Sequence, residues 1–372
     1  MNHISHANAS EDYIASIIKD KLKQQRTYSV KEICLDILRE LRINVSRSKA
    51  YRAHELAFKM IDGTHEDGYA RLPQYCEDIV NSNPGSVAFV ESTSNNQFRR
   101  AFICFNASAE GLPYCVPVIG LDGMLPLLCC FLTGLGTHLM SKYQGIFLSA
   151  TSFDACGSLF PVAHAIVDAE NDVNWAWFCE TLRDKVILPH KPQFVPLGQV
   201  VFLSDRQKGL LEAVHDMFPH NAHSYCLRHL EENFHKQFKN AELKSLLWQA
   251  ARAVNKSEYD TAIANMSSIN PRCVKWLTDH AAPVHWAEIY FQGHRYGYLT
   301  SNIAESLNAW LKEAREMPIL ALFEKIRHQL MEWMHARRAL EITTNGLLVS
   351  PVRFKHCAAL NSNCRLLERF IG

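Results

Sequence analysis

The sequence predicts a mixed α/β fold preceded by a small helical domain. Three observations predict it. Apolar residues recur at helical spacing through residues 10–62. Short apolar, strand-like segments, separated by turns and one helix, then fill residues 98–203. From Leu227 to Leu277 the pattern is again almost wholly helical. Several strands before the first helix, followed by helix, strand and helix, is the order of a mixed sheet with helices packed on it. A chain of 372 residues has room for two or three such units.

Taken in order, Ile14, Ile17, Ile18 and Leu22 mark the first helix. Ile33, Ile37, Leu38 and Leu41 mark the second, after a Ser29 cap with Glu32 at the capping-box position. A third helix spans about Ser48–Ile61, and the three together read as a helix-turn-helix-like region over 10–62. Residues 63–97 are turn-rich and read as a connector. The strand candidates are Phe98–Phe105, Val116–Leu121, Gly145–Ala150, Leu159–Val167 and Val200–Leu203, with a helix at Trp175–Val186. A helix follows Ser301 and a long one runs from Ile319 to Ala339, leaving 341–372 as a C-terminal tail. Trp175, Trp177 and Phe178 read as the buried face of their helix. Trp248, Trp276, Trp286, Trp310 and Trp333 read as core of the helical region.

Composition excludes several classes. Hydrophobic residues make up 48% and charged residues 21%, which is globular rather than disordered. No apolar run is long enough to span a membrane. The N-terminus shows no secretory pattern, so the 12 cysteines are expected to be intracellular thiols. The net charge of +1 hides an uneven distribution. Lys19–Lys59 carries 11 Lys and Arg against 5 Asp and Glu, so a basic helical piece precedes a mildly acidic body.

Three carboxylates stand out by local setting. Asp122 closes an apolar strand, before Gly123. Asp205 closes another, Val-Val-Phe-Leu-Ser, at the start of a helix. Glu305 lies one turn into a helix capped by Ser301 or Asn302. Strand-end carboxylates in an α/β sheet face the crevice where ligands bind. Three that converge repel one another unless a divalent cation neutralises them, and hard oxygen donors suit Mg²⁺ or Mn²⁺. A pair of such ions would clamp a phosphodiester displacement. His220, His223, Cys226 and His229 recur every three residues, but the run crosses a loop-to-helix transition, and zinc is not expected there. Asp154, Asp168, Glu170 and Asp172 read as caps and turn residues.

The words Phe-Ile-Cys-Phe-Asn-Ala-Ser (102–108), Leu-Asp-Gly (121–123), Thr-His-Leu-Met-Ser-Lys-Tyr-Gln-Gly (137–145) and Ala-Thr-Ser-Phe-Asp-Ala (150–155) come in this order. After them stand Phe-Pro-Val-Ala-His-Ala-Ile-Val-Asp-Ala-Glu-Asn (160–171), Leu-Ser-Asp-Arg-Gln-Lys-Gly (203–209), Tyr-Cys-Leu-Arg-His-Leu (225–230) and Thr-Ser-Asn-Ile-Ala-Glu-Ser-Leu-Asn (300–308). In these words and their order the chain resembles the transposase domain of Mutator-like elements (MULE), a branch of the ribonuclease-H-like DDE superfamily. The resemblance implies a ribonuclease-H-like domain over 98–340, interrupted by an all-helical insertion at about 230–300. It implies Asp122, Asp205 and Glu305 as catalytic and metal-binding residues of a two-ion site, and Cys226 and His229 as the family's Cys-x-x-His signature. The implied ancestral activity is metal-dependent cleavage and strand transfer of DNA, in the nucleus, with transposon ends and target DNA as partners, and a homo-oligomer possible. Arg206 and Lys208, with Lys49 and Arg52 in the basic helices, are candidate phosphate contacts.

One departure from the family phrase matters. Leu-Asp-Gly is separated from Thr-His-Leu by the apolar segment Met124–Gly136. Either the strand ends at Asp122 and the segment bulges out, or Leu127–Leu135 replaces the strand and puts Leu135 where the carboxylate belongs. The second outcome would leave a non-catalytic DNA-binding or regulatory protein, or a decayed element product.

Overall fold

The structure is a computed structural model that describes residues 9–124, 145–154, 156–193, 200–312, 314 and 317–343. Residues 125–136 of the segment that interrupts the family phrase, and 344–372 of the tail, lie outside the described residues. The chain divides into two compact units, Met1–Tyr75 with Lys312–Gln329, and Cys76–Leu311 with Leu330–Gly372.

The first unit is helical. Helices α1 (Glu11–Gln24), α2 (Val30–Leu41) and α3 (Arg47–Asp62) start at the serines Ser10, Ser29 and Ser46, whose hydroxyls accept backbone N–H groups of the first turn. At Ser29 the expected capping box forms, with the Glu32 carboxylate accepting from the Ser29 backbone N–H. The helices close around Ile14, Ile18, Leu22, Ile33, Ile37, Ala50, Ala53 and Ala57. The small alanines of α3 let it approach α1 closely. Helix α4 (His65–Ser82) follows, within the stretch read as a connector. Gly68 and Pro73 inside it hide its periodicity, because both disfavour a helix interior.

The second unit holds a mixed seven-stranded sheet, the α/β class the sequence predicts. Its strands are β1 (Val87–Ser92), β2 (Phe98–Cys104), β3 (Val116–Met124), β4 (Ile146–Phe153), β5 (Leu159–Val167), β6 (Val201–Ser204) and β7 (His223–Tyr225), in the order β1-β2-β5-β4-β3-β6-β7. The pairs from β1 to β3 are antiparallel, whereas β3–β6 and β6–β7 are parallel. The five expected strands are present. β1 and the three-residue β7 were not expected, and β1 falls inside 63–97. The turn into β1 needs Gly85, which has φ +92° and whose missing Cβ would lie 2.3 Å from Asn106 Oδ1.

One sheet face carries Phe102, Leu121, Leu148, Ala150, Ala163 and Ala165. It packs against α6 (Asp172–Thr181), its wider π-helical continuation Leu182–Ile187, and α7 (Lys208–Met217). Trp175 and Phe178 are fully buried there, as expected. On the other face Val118, Phe153, Val201 and Leu203 are covered by Phe291 and Tyr298. Helix α12 (Asn302–Trp310) packs on β3, β4 and β5, and short α5 (Asn106–Gly111) on β5.

Helices α8 (Leu227–Phe238), α9 (Ala241–Arg252), α10 (Lys256–Ile269) and α11 (Pro271–His280) build a separate cluster around Phe234, Leu247, Met266, Cys273 and Trp286. This is the helical stretch expected before Glu305. Trp248 and Trp276 pack against that cluster, whereas Trp333, on α13 (Ile319–Thr343), packs against Phe160 of β5.

Candidate active site

The site begins with strand register. β3 and β6 are parallel, and their last registered pair is Leu121↔Ser204. Asp122 and Asp205 are the next residue on each chain. Alternation along the strands sends both side chains to the face opposite Leu121 and Phe202, which is the face that carries α12. Val116–Met124 fills the strand position beside β6, so Asp122 keeps its place in the sheet; Leu135 lies outside the described residues.

The electrostatics follow from this placement. Asp122 is pushed up to about 7, first by burial and then by the negative charge of Asp205, with Glu170 adding to it. His229 and a hydrogen bond with Asn308 of α12 act in the opposite direction. Glu170 is itself raised, by burial and by Asp205, while its Oε1 accepts from Trp175 Nε1 at 3.2 Å. Gly123 leaves room for this carboxylate, since a Cβ there would lie 2.5 Å from Glu170 Oε1. Asp205 Oδ1 accepts the Gln207 N–H at 3.0 Å, and Gln207 caps α7.

His229 is raised to about 9, first by its side-chain hydrogen bond with Cys226 and also by the charge on Asp205. Burial alone would raise the Cys226 thiol, but hydrogen bonds from His229 and Ser301 outweigh it and hold the thiol down. The Ser301 backbone N–H and hydroxyl donate to Cys226 Sγ at 3.2 and 3.0 Å. Cys226 N–H in turn donates to the Ser204 carbonyl at 2.7 Å, next to Asp205. Glu305 belongs to the second turn of α12, where the description covers its backbone. Among the described residues no three His, Cys, Asp or Glu side chains stand together as a metal cluster, a set from which the Glu305 side chain is absent.

The remaining candidates divide. Arg206 is engaged internally, donating to the His280 carbonyl at 3.0 Å with its guanidinium 5.8 Å from the Trp276 ring centre. Lys208 is exposed, 3.8 Å from Glu212. In the first unit Arg52 pairs with Glu11 at 2.5 Å, whereas Lys49 forms no ion pair among the described residues. Of the histidine run, His223 Nε2 lies 2.8 Å from Ser204 Oγ, and His229 turns to Cys226. Asp154 and Asp168 act as expected, accepting local donors from Cys156, Ser158 and Asn174.

Sequence reasoning missed three residues. Glu170 was read as a turn acid, although it is coupled to both aspartates. Asn308 of α12 hydrogen-bonds with Asp122. His164 is 2% exposed, neither ring nitrogen has a partner, and it occupies the same cross-strand row as Asp122 and Ser149. Burial pushes it down to about 3, so it stays neutral.

In the mixed sheet the parallel strands β3 and β6 thus lead into two partly exposed acids, and α12 reaches one of them through Asn308. The family model of the MULE transposase domain matches residues 135–233, in agreement with the Mutator-like resemblance, and supports a transposase-derived protein. Asp205, Cys226 and His229 fall within the match, and Asp122 and Glu305 outside it. No curated protein matches the chain.

Proposed function

We propose that the second unit is a ribonuclease-H-like, DDE-type catalytic domain that cleaves and joins DNA with divalent cations, acting in the nucleus on element ends and target DNA. The observation that carries this reading is the placement of Asp122 and Asp205 one step beyond the Leu121↔Ser204 pair. Two coupled carboxylates, one pushed up to about 7 first by burial and then by the charge of the other, form a donor set that a hard cation would relieve. Asp122, Asp205 and Glu305 would hold Mg²⁺ or Mn²⁺, with Glu170 at the margin. Such ions supply charge neutralisation at a phosphodiester and activation of the attacking hydroxyl.

The protein's own residues prepare that chemistry. Asn308 hydrogen-bonds and so orients the Asp122 carboxylate. His229 sets a positive charge against the acid pair. In the first unit Lys21, Arg26, Arg39 and Arg52 are spent on Asp36, Asp62 and Glu11. Lys31, Arg42, Arg47 and Lys49 form no ion pair among the described residues, which leaves them for phosphate contacts.

The test is nicking of end-containing DNA in Mg²⁺ or Mn²⁺ by the wild type and by Asp205→Ala. Metal-dependent nicking that Asp205→Ala lowers by about a hundredfold or more supports the reading. Equal background from both proteins overturns it. Salt-sensitive DNA binding that persists without nicking, and that fails when Lys31, Arg47 and Lys49 become Ala, would establish a non-catalytic DNA-binding protein.

A further inference from the structure

We infer that Cys226 is a positioning residue whose sulfur, as a buried hydrogen-bond acceptor, clips the start of α12 to the end of β6 and so seats Asn308 beside Asp122. This inference rests on the reading of Asp122, Asp205 and α12 as one site.

The geometry is a chain of short links. Cys226 is 1% and Ser301 6% exposed, so neither can turn to water for a substitute partner. Ser301 is the residue before the first turn of α12, and its hydroxyl caps no N–H of that helix. It points instead at Cys226 Sγ, which also receives the Ser301 backbone N–H. Two donors converging on one sulfur make Cys226 the acceptor, a role a thiol fills poorly and a thiolate well. Cys226 is anchored on its other side by its N–H to the Ser204 carbonyl, one residue from Asp205. The next residue repeats the stitch, with Leu227 N–H donating to the Leu299 carbonyl at 2.9 Å.

These bonds join the two stems of the helical insertion. The chain leaves the sheet at Cys226–Leu227 and returns at Leu299–Ser301, and the clip fixes that return before α12 begins. His229, one turn further along α8, lies beside the same sulfur and faces Asp205. The spacing of Cys226 and His229 thereby has a physical reason: one residue holds the helix that carries the remote donors, and the other sets positive charge against the acids.

The experiment uses the full chain as wild type, Cys226→Ala, Cys226→Ser, Ser301→Ala and Asp205→Ala. It reads amide hydrogen exchange across residues 302–310 and Mn²⁺ affinity by titration calorimetry. The expected result is exchange of α12 faster by about tenfold in Cys226→Ala and Ser301→Ala, with exchange in α9 and α10 unchanged. Mn²⁺ binding weakens in both variants, and Cys226→Ser, which keeps an acceptor, recovers most of both losses. Unchanged α12 exchange in the two alanine variants overturns the inference, as does general loosening that reaches α9 and α10 equally. Equal Mn²⁺ binding by the wild type and Asp205→Ala defeats the metal-site reading instead, and leaves the exchange result to decide the clip.

Discussion

At the scale of single residues, Asp122 and His229 bind their protons more tightly than usual. Asp122 titrates near 7 instead of its ordinary 3.8, so between those values the folded protein keeps a proton that the unfolded chain has lost. Stability therefore falls as pH rises through that window, and above 7 the whole penalty is present. His229, raised from 6.5 to about 9, stabilises the fold below 6.5 and loses that contribution as pH rises through 9. Asp122→Asn removes the first effect. In cation-free buffer it is expected to melt several degrees above the wild type at pH 8 and level with it near pH 4, a difference on the order of a few kcal/mol at most. A gap of equal size at both pH values would sink the electrostatic account. Asp122 and Asp205 were legible because each ends an apolar run. Glu170 was not, because its coupling to them arises across a turn, and a lone acid beside Asn171 and Asp172 reads as helix-cap chemistry.

At the scale of elements, local signals fixed the helices of the first unit, and the clearest was the Ser29–Glu32 pair. Ser29→Ala removes the acceptor for the Glu32 N–H and one of the two donors to the Glu32 carboxylate, leaving the Ser29 backbone N–H. The expected cost is about 1 kcal/mol, read as a lower urea midpoint with an unchanged slope. An unchanged midpoint would show that packing around Ile33 and Ile37 alone sets this helix. The elements that escaped the sequence have physical reasons. β1 is only half-buried along its length and lacks a clean alternation, and β7 is three residues long. In α4 the helix-disfavouring Gly68 and Pro73 break the pattern although tertiary packing sustains it; a Cβ at Gly68 would meet Ile319 at an ordinary contact distance of 3.5 Å.

At the scale of the molecule, the second unit has a core among α8–α11 that is separate from the one under the sheet. Trp286 is the largest fully buried side chain of the helical core, and its Nε1 donates to the Ala281 carbonyl at 3.0 Å. Trp286→Ala is expected to cost about 3–5 kcal/mol locally and to speed exchange through residues 227–290 while β3, β4 and β5 stay protected. Exchange rising equally in those strands would mean that the two cores unfold as one. The helical stretch of α8–α11 was readable from its periodicity, and so was the mixed character of the sheet. The pairing of β3 with β6 was not, because parallel register between distant segments leaves no local trace in sequence.

That pairing has a consequence for how the protein is made. Asp122 emerges from the ribosome well before Asp205, and β4, β5 and α6 lie between the two in the chain. No nascent chain carries the acid pair until β6 has docked, and α12 is added later still. The proton that Asp122 holds up to about 7 is therefore gained only once its burial and the charge of Asp205 are both in place.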